Sequence, residues 1–379
     1  MKKVLSYLKR EAMLFVSLLA AAVALIITPP SAELLSDIDW KTLCMLFMML
    51  TVLEGFKKEN IFLPIIRFAG SISTMTGLSL FLVFGVFFSS MFVTNDVSLI
   101  IFVPLTILLF RGAGQEKYIL PVISMENIAA VRGSMLTPFG SPQNLFLFGK
   151  SSVSAFTFML HMLPLNLLSG LLLAGYVFLL YRKEPKLKTA IAAPADSLSP
   201  ERKKYRILYL ALFALIVFTI VSRVSVWPYI TAFVAIVIIV FDHKVLLKTD
   251  YVLLLTFLCF FVFSSSVCRN PDISSFLEKA VAGNEYWWGI LLSQVISNVP
   301  ASIVLYPFSA NLSGLLYGVD TAGLCTLIGS LASVINYRIY VREYPGNGMK
   351  FIKVFTVVSI LFFAVVVLPG YFLSAWPMQ

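Results

Sequence analysis

The sequence predicts an all-α, polytopic membrane protein built from two inverted repeats, each with a re-entrant helical hairpin and a broken transmembrane helix. Three observations predict this. Hydrophobic residues make up 59% of the 379-residue chain and charged residues 13%, whereas a soluble domain carries about 25% charged residues. Apolar runs of about 20 residues, the length that crosses a hydrocarbon core, recur along the chain. The same polar interruptions appear in the same order in both halves.

The N-terminus, Met1 to Glu11, is basic and leads into the apolar run Met13–Thr28. That run ends in Pro29-Pro30 without a small-x-small cleavage site, so it is expected to be a retained first helix and not a cleaved signal. The spanning candidates are residues 13–30, 40–56, 118–150, 155–181, 206–222, 226–243, 249–267, 318–341 and 350–375. Two other stretches, 79–110 and 286–316, are too long for one crossing and carry a polar break at their centre. Each is expected to enter the membrane, turn near the midplane and leave on the same side. The chain then divides into an N-terminal repeat over 1–181, a cytoplasmic linker over 182–205 and a C-terminal repeat over 206–379. The linker is marked by Pro185, Pro194, Pro200 and many basic residues. Segment 206–222 is an extra crossing, which turns the second repeat upside down relative to the first. Segments 59–73 and 271–283 mix charge with apolar residues and are expected to be helices lying in the interface.

The formal net charge of +10 follows from topology and does not call for a nucleic-acid partner. With both hairpins re-entrant, Lys2, Lys3, Lys9, Arg10, Lys57, Lys58, Arg67, Arg111, Lys117, the linker, Lys244, Lys248, Arg338, Arg342, Lys350 and Lys353 share one side. Lys41, Lys150, Arg223, Arg269 and Lys279 are left on the other. Basic loops stay in the cytoplasm, so the N-terminus is expected inside, the C-terminus outside, and the chain in a bacterial-type inner membrane. A single crossing by either hairpin would flip every later loop and destroy this bias. Cys44, Cys259, Cys268 and Cys325 show no CxxC spacing and are taken as packing residues. His161 and His243 lack metal-ligand spacing. No phosphate-binding glycine loop ending in Lys-Ser/Thr is present, and no paired-aspartate or His-Glu motif marks an intramembrane enzyme. No cofactor is expected.

Ile38-Asp39-Trp40 and Thr249-Asp250-Tyr251 each open an apolar helix. Thr94-Asn95-Asp96 and Ser297-Asn298-Val299 break the two hairpins; Gly140-Ser141 and Gly329-Ser330 break the two later helices. Unpaired backbone polar groups cost several kcal/mol each in lipid, so such breaks must line a cavity or be covered by protein. Broken helices at matching places in two inverted halves point to a transporter binding site. Ser90 and Thr94 share a helix face, and Ser293 and Ser297 repeat the spacing; their oxygens suit a hard cation. Thr137-Pro138-Phe139-Gly140-Ser141-Pro142-Gln143-Asn144 holds two prolines and a glycine between apolar flanks, so the helix must break there. A new helix starting near Asn144 offers its N-terminus to a negative group. Asp96, Glu126 and Arg132 are ionisable at membrane depth and are functional candidates by default. Asp96 is the candidate proton carrier or counter-charge to a bound cation. Arg132 contacts an anion or pairs with Glu126 or Asp96. Glu54 is placed at the interface.

These motifs, with Val103-Pro104-Leu105 and Gly133-Ser134-Met135-Leu136, resemble the citrate-transporter-like permeases of the ion transporter superfamily. That group includes the divalent-anion/sodium symporters and the arsenite permeases. The resemblance covers residues 13–375 or so. It implies a sodium site at Ser90, Thr94, Asn95 and Gly140, and a second at Ser293, Asn298 and a carbonyl near Gly329. It implies a small anionic substrate between Asn95 and Asn298, with Asp96, Ser141, Gln143, Asn144, Val299 and Ser330 as further candidates. It also implies a homodimer and elevator-like alternating access. The symporters carry Ser-Asn-Thr at both tips, and here Asp96 and Val299 replace the threonines. Two lost hydroxyls and a gained carboxylate are less suited to a dicarboxylate. The aspartate is reminiscent of the arsenite permeases, which leaves arsenite or antimonite efflux as the alternative to carboxylate or oxyanion transport, with sodium/proton antiport further away. A channel would show flux without a sodium or proton gradient.

Overall fold

The computed structural model describes residues 12–30, 34–61, 68–69, 72–184 and 200–378, with side chains for all of these except 12, 13 and 200–202. The basic N-terminal segment, most of the linker and most of the interfacial helix expected over 59–73 lie outside the described residues. The regular elements are helices. In chain order they are α1 (Ala12–Ile27), α2 (Trp40–Lys58), α3 (Met75–Val93), α4 (Asn95–Gly112), α5 (Ile119–Ser134), α6 (Pro142–Lys150), α7 (Ala155–Leu180) and α8 (Pro200–Val221). They continue as α9 (Trp227–Leu246), α10 (Tyr251–Arg269), α11 (Pro271–Val281), α12 (Glu285–Ile296), α13 (Asn298–Leu305), α14 (Leu312–Ala322), α15 (Leu331–Glu343) and α16 (Gly348–Ser374). Among the described residues, seven helices are long and apolar enough to cross a membrane, and Leu14–Ile27 adds a shorter apolar one. This is a multi-pass membrane protein.

The repeat seen in sequence is repeated in backbone geometry. Asp39 caps α2 by accepting from the Thr42 N–H at 2.9 Å, and Asp250 caps α10 by accepting from the Leu253 N–H at 3.0 Å. Each side chain satisfies one of the donors that a helix start leaves open. The hairpin arms α3 and α4 meet at Thr94 (φ 68, ψ 154); α12 and α13 meet at Ser297 (φ 72, ψ 156). The half-helices α6 and α15 start after Ser141 (φ −146, ψ 153) and Ser330 (φ −147, ψ 139). Proline explains the first start: Pro142 sits at N1 of α6, where its missing N–H costs nothing.

Packing repeats as well. Within the halves, α3 lies on α5 as α12 lies on α14. Between them, α4 packs on α15 as α13 packs on α6, and α1 on α10 as α9 on α2. The halves are interleaved, so each hairpin touches the broken helix of the other half. Glycine makes the closest of these approaches. A Cβ on Gly133 of α5 would come 2.0 Å from the Phe87 carbonyl of α3, and one on Gly318 of α14 would come 2.4 Å from the Tyr286 carbonyl of α12. α5 is buried along its length apart from Pro121. α7, α8, α9 and α16 instead turn apolar residues such as Leu171, Phe218, Val240 and Phe372 outward, as lipid contact requires.

Three boundaries and contacts differ from the sequence reading. The second hairpin ends near Phe308 and not at 316, and the broken helix begins at Leu312 and not at 318. The turn is made by polar contacts inside an apolar run. Glu285 accepts from the N–H groups of Ala310 and Asn311, both at 3.0 Å, and Asn311 caps α14. Hydropathy does not register such a turn. Arg132 pairs with neither Glu126 nor Asp96. Its Nε donates to Ser169 at 3.0 Å and its Nη1 to the Asp320 carbonyl at 3.3 Å, while the Asn166 amide donates to the Arg132 carbonyl at 2.6 Å. His161 has a structural partner, Ser313 at 2.7 Å, and the four cysteines are free.

Candidate functional site

Two cavities share a wall at the first hairpin tip. The smaller, about 80 Å³, is lined by Glu54 and Lys57 of α2, Thr94 and Asp96 of the first hairpin tip, Phe139, Ser141 and Pro142 of the first break, and Asp250 at the start of α10. The larger, about 400 Å³, is lined by Val295, Val299 and Pro300 of the second hairpin, Ile328 and Leu331 of the second break, and Arg338 of α15. Asp96, Asp250, Leu253 and Ile335 line both. One chamber therefore receives both hairpins, both breaks and the capping aspartate of α10.

Asp96 stands at the junction. Its backbone N–H is held by the Asn95 side chain at 2.9 Å, while its buried Oδ1 has no partner. Ser141 Oγ, in the same smaller cavity, is also buried and unpartnered. A carboxylate and a hydroxyl left open at membrane depth are groups that a ligand, an ion or a water must complete. Lys57 is paired with Glu54 at 3.0 Å, so beyond that ion pair the smaller cavity is lined by two further acids, Asp96 and Asp250.

The other sequence candidates lie around the chamber and not on its surface. Asn95 and Asn298 are 4% and 2% exposed. The Asn298 N–H donates to the Gly329 carbonyl at 3.1 Å and its Nδ2 is unpartnered. Ser90 and Ser293 donate to carbonyls of their own helices, Phe87 at 3.0 Å and Gly289 at 2.6 Å. Gly140 and Gly329 sit where a Cβ would meet the carbonyls of Ser134 and Ala322 at 2.3 and 2.5 Å. Gln143 donates to Asp320 at 3.0 Å, and Asn144 donates to the carbonyls of Ser134 and Met135 at 3.4 and 3.2 Å. Each tip is thus stitched to the break of its own half: Thr137 Oγ1 donates to the Met91 carbonyl in the first, and Gln294 donates to the Ala322 carbonyl at 3.1 Å in the second. Asp96, Ser141, Thr94 and Val299 face the chamber directly.

Both tips hold non-glycine residues in a backbone region that is nearly exclusive to glycine, at a cost of about 1–3 kcal/mol each. Such strain persists only where the surroundings enforce it. Thr94→Gly and Ser297→Gly are therefore expected to raise thermal stability by about 1 kcal/mol, net of the entropy glycine adds to the unfolded chain. Thr94→Ala, which keeps the Cβ, is expected to give no such gain. Thermal unfolding of the purified variants reads the difference, and a lower melting temperature for both glycine variants would show that the tips store no strain.

The structure adds residues that the sequence did not single out. Asp250, Arg338 and Lys57 line the chamber. Asp320, 1% exposed, occupies on α14 the place that Arg132, 0% exposed, occupies on α5: Arg132 is three residues before Met135, the C-cap of α5, and Asp320 is three before Gly323, the C-cap of α14.

Comparison with known proteins decides the family. Residues 5–320 match the family model described as citrate transporter. The chain belongs to the citrate transporter family. Among relatives of the chain, the uncharacterized transporter MJ0456 of Methanocaldococcus jannaschii is 31% identical over 312 residues, covering 81% of this chain and 83% of its own. The inner membrane protein YbiR of Escherichia coli is 31% identical over 311 residues, covering 80% of each chain. Among solved structures, the YdaH transporter of Alcanivorax borkumensis aligns over 97% of this chain and 98% of its own, at 12% identity and a TM-score of 0.49. The matched segment contains both hairpins, the first break and Asp320, so the chamber is largely built from the part of the chain that defines the citrate transporter family.

Proposed function

We propose that the protein is a secondary transporter that moves a small anion, a di- or tricarboxylate or an inorganic oxyanion, across the inner membrane, driven by sodium or protons. The observation that carries this reading is the single chamber at Asp96, closed by hairpin tips and helix breaks from both halves. Backbone that leaves the helix at membrane depth is tolerated where it lines such a chamber, and broken helices in repeated halves are how many transporters build a central site. Arg338 brings positive charge to the chamber, and the start of α6 at Pro142 turns a helix N-terminus toward it.

The chamber lies toward the end of the molecule that carries Lys57 and Asp250. By the distribution of basic loops this is the cytoplasmic side, with the N-terminus inside and the C-terminus outside. The other end is held by Lys150, which pairs with Asp39 at 2.9 Å. In this reading the two halves run in opposite senses. The hairpins and broken helices move together, elevator-like, against α1, α2 and α8–α10 within a homodimer, with α11 as an arm. Alternating access then exchanges which end is open.

Asp96 and Asp250 together favour one other reading. Two acids beside the site oppose a multiply charged anion, and arsenite or antimonite efflux would suit them better; sodium/proton antiport is a more distant third. Proteoliposomes separate the cases. Saturable uptake of radiolabelled citrate, succinate or sulfate that requires a sodium or pH gradient is the expected result. Arsenite resistance conferred on a sensitive strain, without anion uptake, would replace it with efflux. Anion flux without either gradient would mean a channel.

A further inference from the structure

α4, α5 and α15 pack on one another and bury a second group of polar side chains, none of which lines the chamber. Glu126, Asn127, Ser333 and Asn336 are each 0% exposed, as is Thr106 on α4. Asn127 Nδ2 donates to Ser333 Oγ at 3.0 Å, and Asn336 Nδ2 donates to the Ile123 carbonyl at 2.7 Å. These bonds aim both amide nitrogens at protein acceptors and leave the amide oxygens free. Thr106 Oγ1 donates to Glu126 Oε1. Three oxygens then remain buried with no partner: Glu126 Oε2, Asn127 Oδ1 and Asn336 Oδ1.

All three are acceptors, and one belongs to a carboxylate. Among the described residues no ion pair involves Glu126. Arg132, on the same helix, turns its guanidinium to Ser169 and the Asp320 carbonyl. A buried, uncompensated carboxylate costs several kcal/mol, and each unmet amide oxygen adds about 1–3 kcal/mol. A proton on Glu126 would remove its charge and leave both amide oxygens as they are. Asn336 reaches the Ile123 carbonyl, one turn before Asn127, and Asn127 reaches Ser333, one turn before Asn336. The two amides therefore face each other across α5 and α15, with Glu126 next to Asn127 in the chain. A cation held among them would answer all three. A carboxylate with two amide carbonyls is a hard-oxygen donor set, and one carboxylate is neutralised by one positive charge.

We propose that the α4–α5–α15 junction binds a sodium ion through Glu126, Asn127 and Asn336, with the Thr106 and Ser333 hydroxyls beside them. None of these five residues belongs to a hairpin tip or lines either cavity of the chamber. It joins α4 and α5 of the first half to α15 of the second, so its occupant fastens the helix that carries Arg338 to the hairpin that carries Asp96. Sodium bound there stabilises the arrangement of the halves seen here.

The test is sodium binding by the purified full-length protein without any substrate, so it stands or falls apart from the transport reading. Thermal unfolding is followed across a sodium titration at constant ionic strength, with potassium or N-methyl-D-glucamine as replacement, and radioactive sodium binding is measured in parallel. The wild type is expected to gain stability saturably with sodium. Glu126→Gln, which keeps size and shape, is expected to weaken that affinity about tenfold or more, since removing even a supporting contact of an ion site costs that much. Asn336→Ala and Asn127→Ala keep the carboxylate and are expected to weaken it too, so the test survives if Glu126→Gln does not fold. An unchanged sodium affinity in all three variants would overturn the proposal. So would a wild type stabilised equally by potassium, or by acid alone without regard to sodium.

Discussion

Asp96→Asn is expected to lower the transport rate about 10- to 100-fold, the loss that follows when a charged hydrogen-bonding group worth about 1.5–3 kcal/mol is neutralised. It is also expected to flatten the dependence of rate on the driving cation. The amide is close in size to the carboxylate, so the chamber keeps its shape. What changes is the charge at the one first-half hairpin residue lining both cavities, and an amide neither carries a proton nor balances a cation at that pH. Initial rates in proteoliposomes, measured against pH at fixed sodium and against sodium at fixed pH, show the effect. A variant with wild-type rates and both wild-type profiles would remove Asp96 from the coupling machinery. A slower variant that keeps both profiles would make it a substrate contact only.

The second large effect is expected at Arg132 and Asp320. Both are buried, from opposite halves, and the Arg132 Nη2 and Asp320 Oδ2 atoms have no partner. Gln143 holds the other carboxylate oxygen and Arg132 holds the Asp320 carbonyl, so the two charges sit in one network. Arg132→Ala strands the carboxylate in an apolar interior and is expected to cost about 3–5 kcal/mol, enough to abolish a folded yield. Arg132→Met with Asp320→Asn removes both charges at near-constant volume and is expected to recover much of that loss. In a cycle of Arg132→Met, Asp320→Asn and the double variant, the coupling is expected to be about 0.5–3 kcal/mol, as for residues in one network. Additive losses in thermal unfolding would mean that the two groups are independent.

Much of this was legible in the chain itself. The helix breaks were visible because proline and glycine cannot continue a helix: Pro138, Gly140 and Pro142 stand between flanks that must be in the membrane. The two tips were visible because Thr94-Asn95-Asp96 and Ser297-Asn298-Val299 interrupt apolar runs at matched places. What escaped was set by tertiary contact. The reversed turn after Phe308 depends on Glu285, more than twenty residues earlier in the chain. Asp320 stands two residues inside the span expected over 318–341, at the edge of an apolar run, and no motif marks it. Aligning the halves on Gly140-Ser141 and Gly329-Ser330 sets it against Arg132 to within a residue, and that was the available signal. Asp250 was read only as a helix start, and its second role in the chamber follows from how α10 packs against α2. The left-handed backbone at Thr94 and Ser297 has no signature in residue type, since neither is glycine.

Asp96 belongs to the first hairpin and Leu331 to the second break, and both line the larger cavity. The most direct measurement is therefore cross-linking of an Asp96→Cys, Leu331→Cys pair, in a background lacking the native cysteines, by a short bifunctional thiol reagent in membranes. A cross-link within one chain, slowed by the transported anion, is the expected result. Two thiols that each react but never join, or join equally well with the anion present at saturation, would contradict a shared substrate chamber.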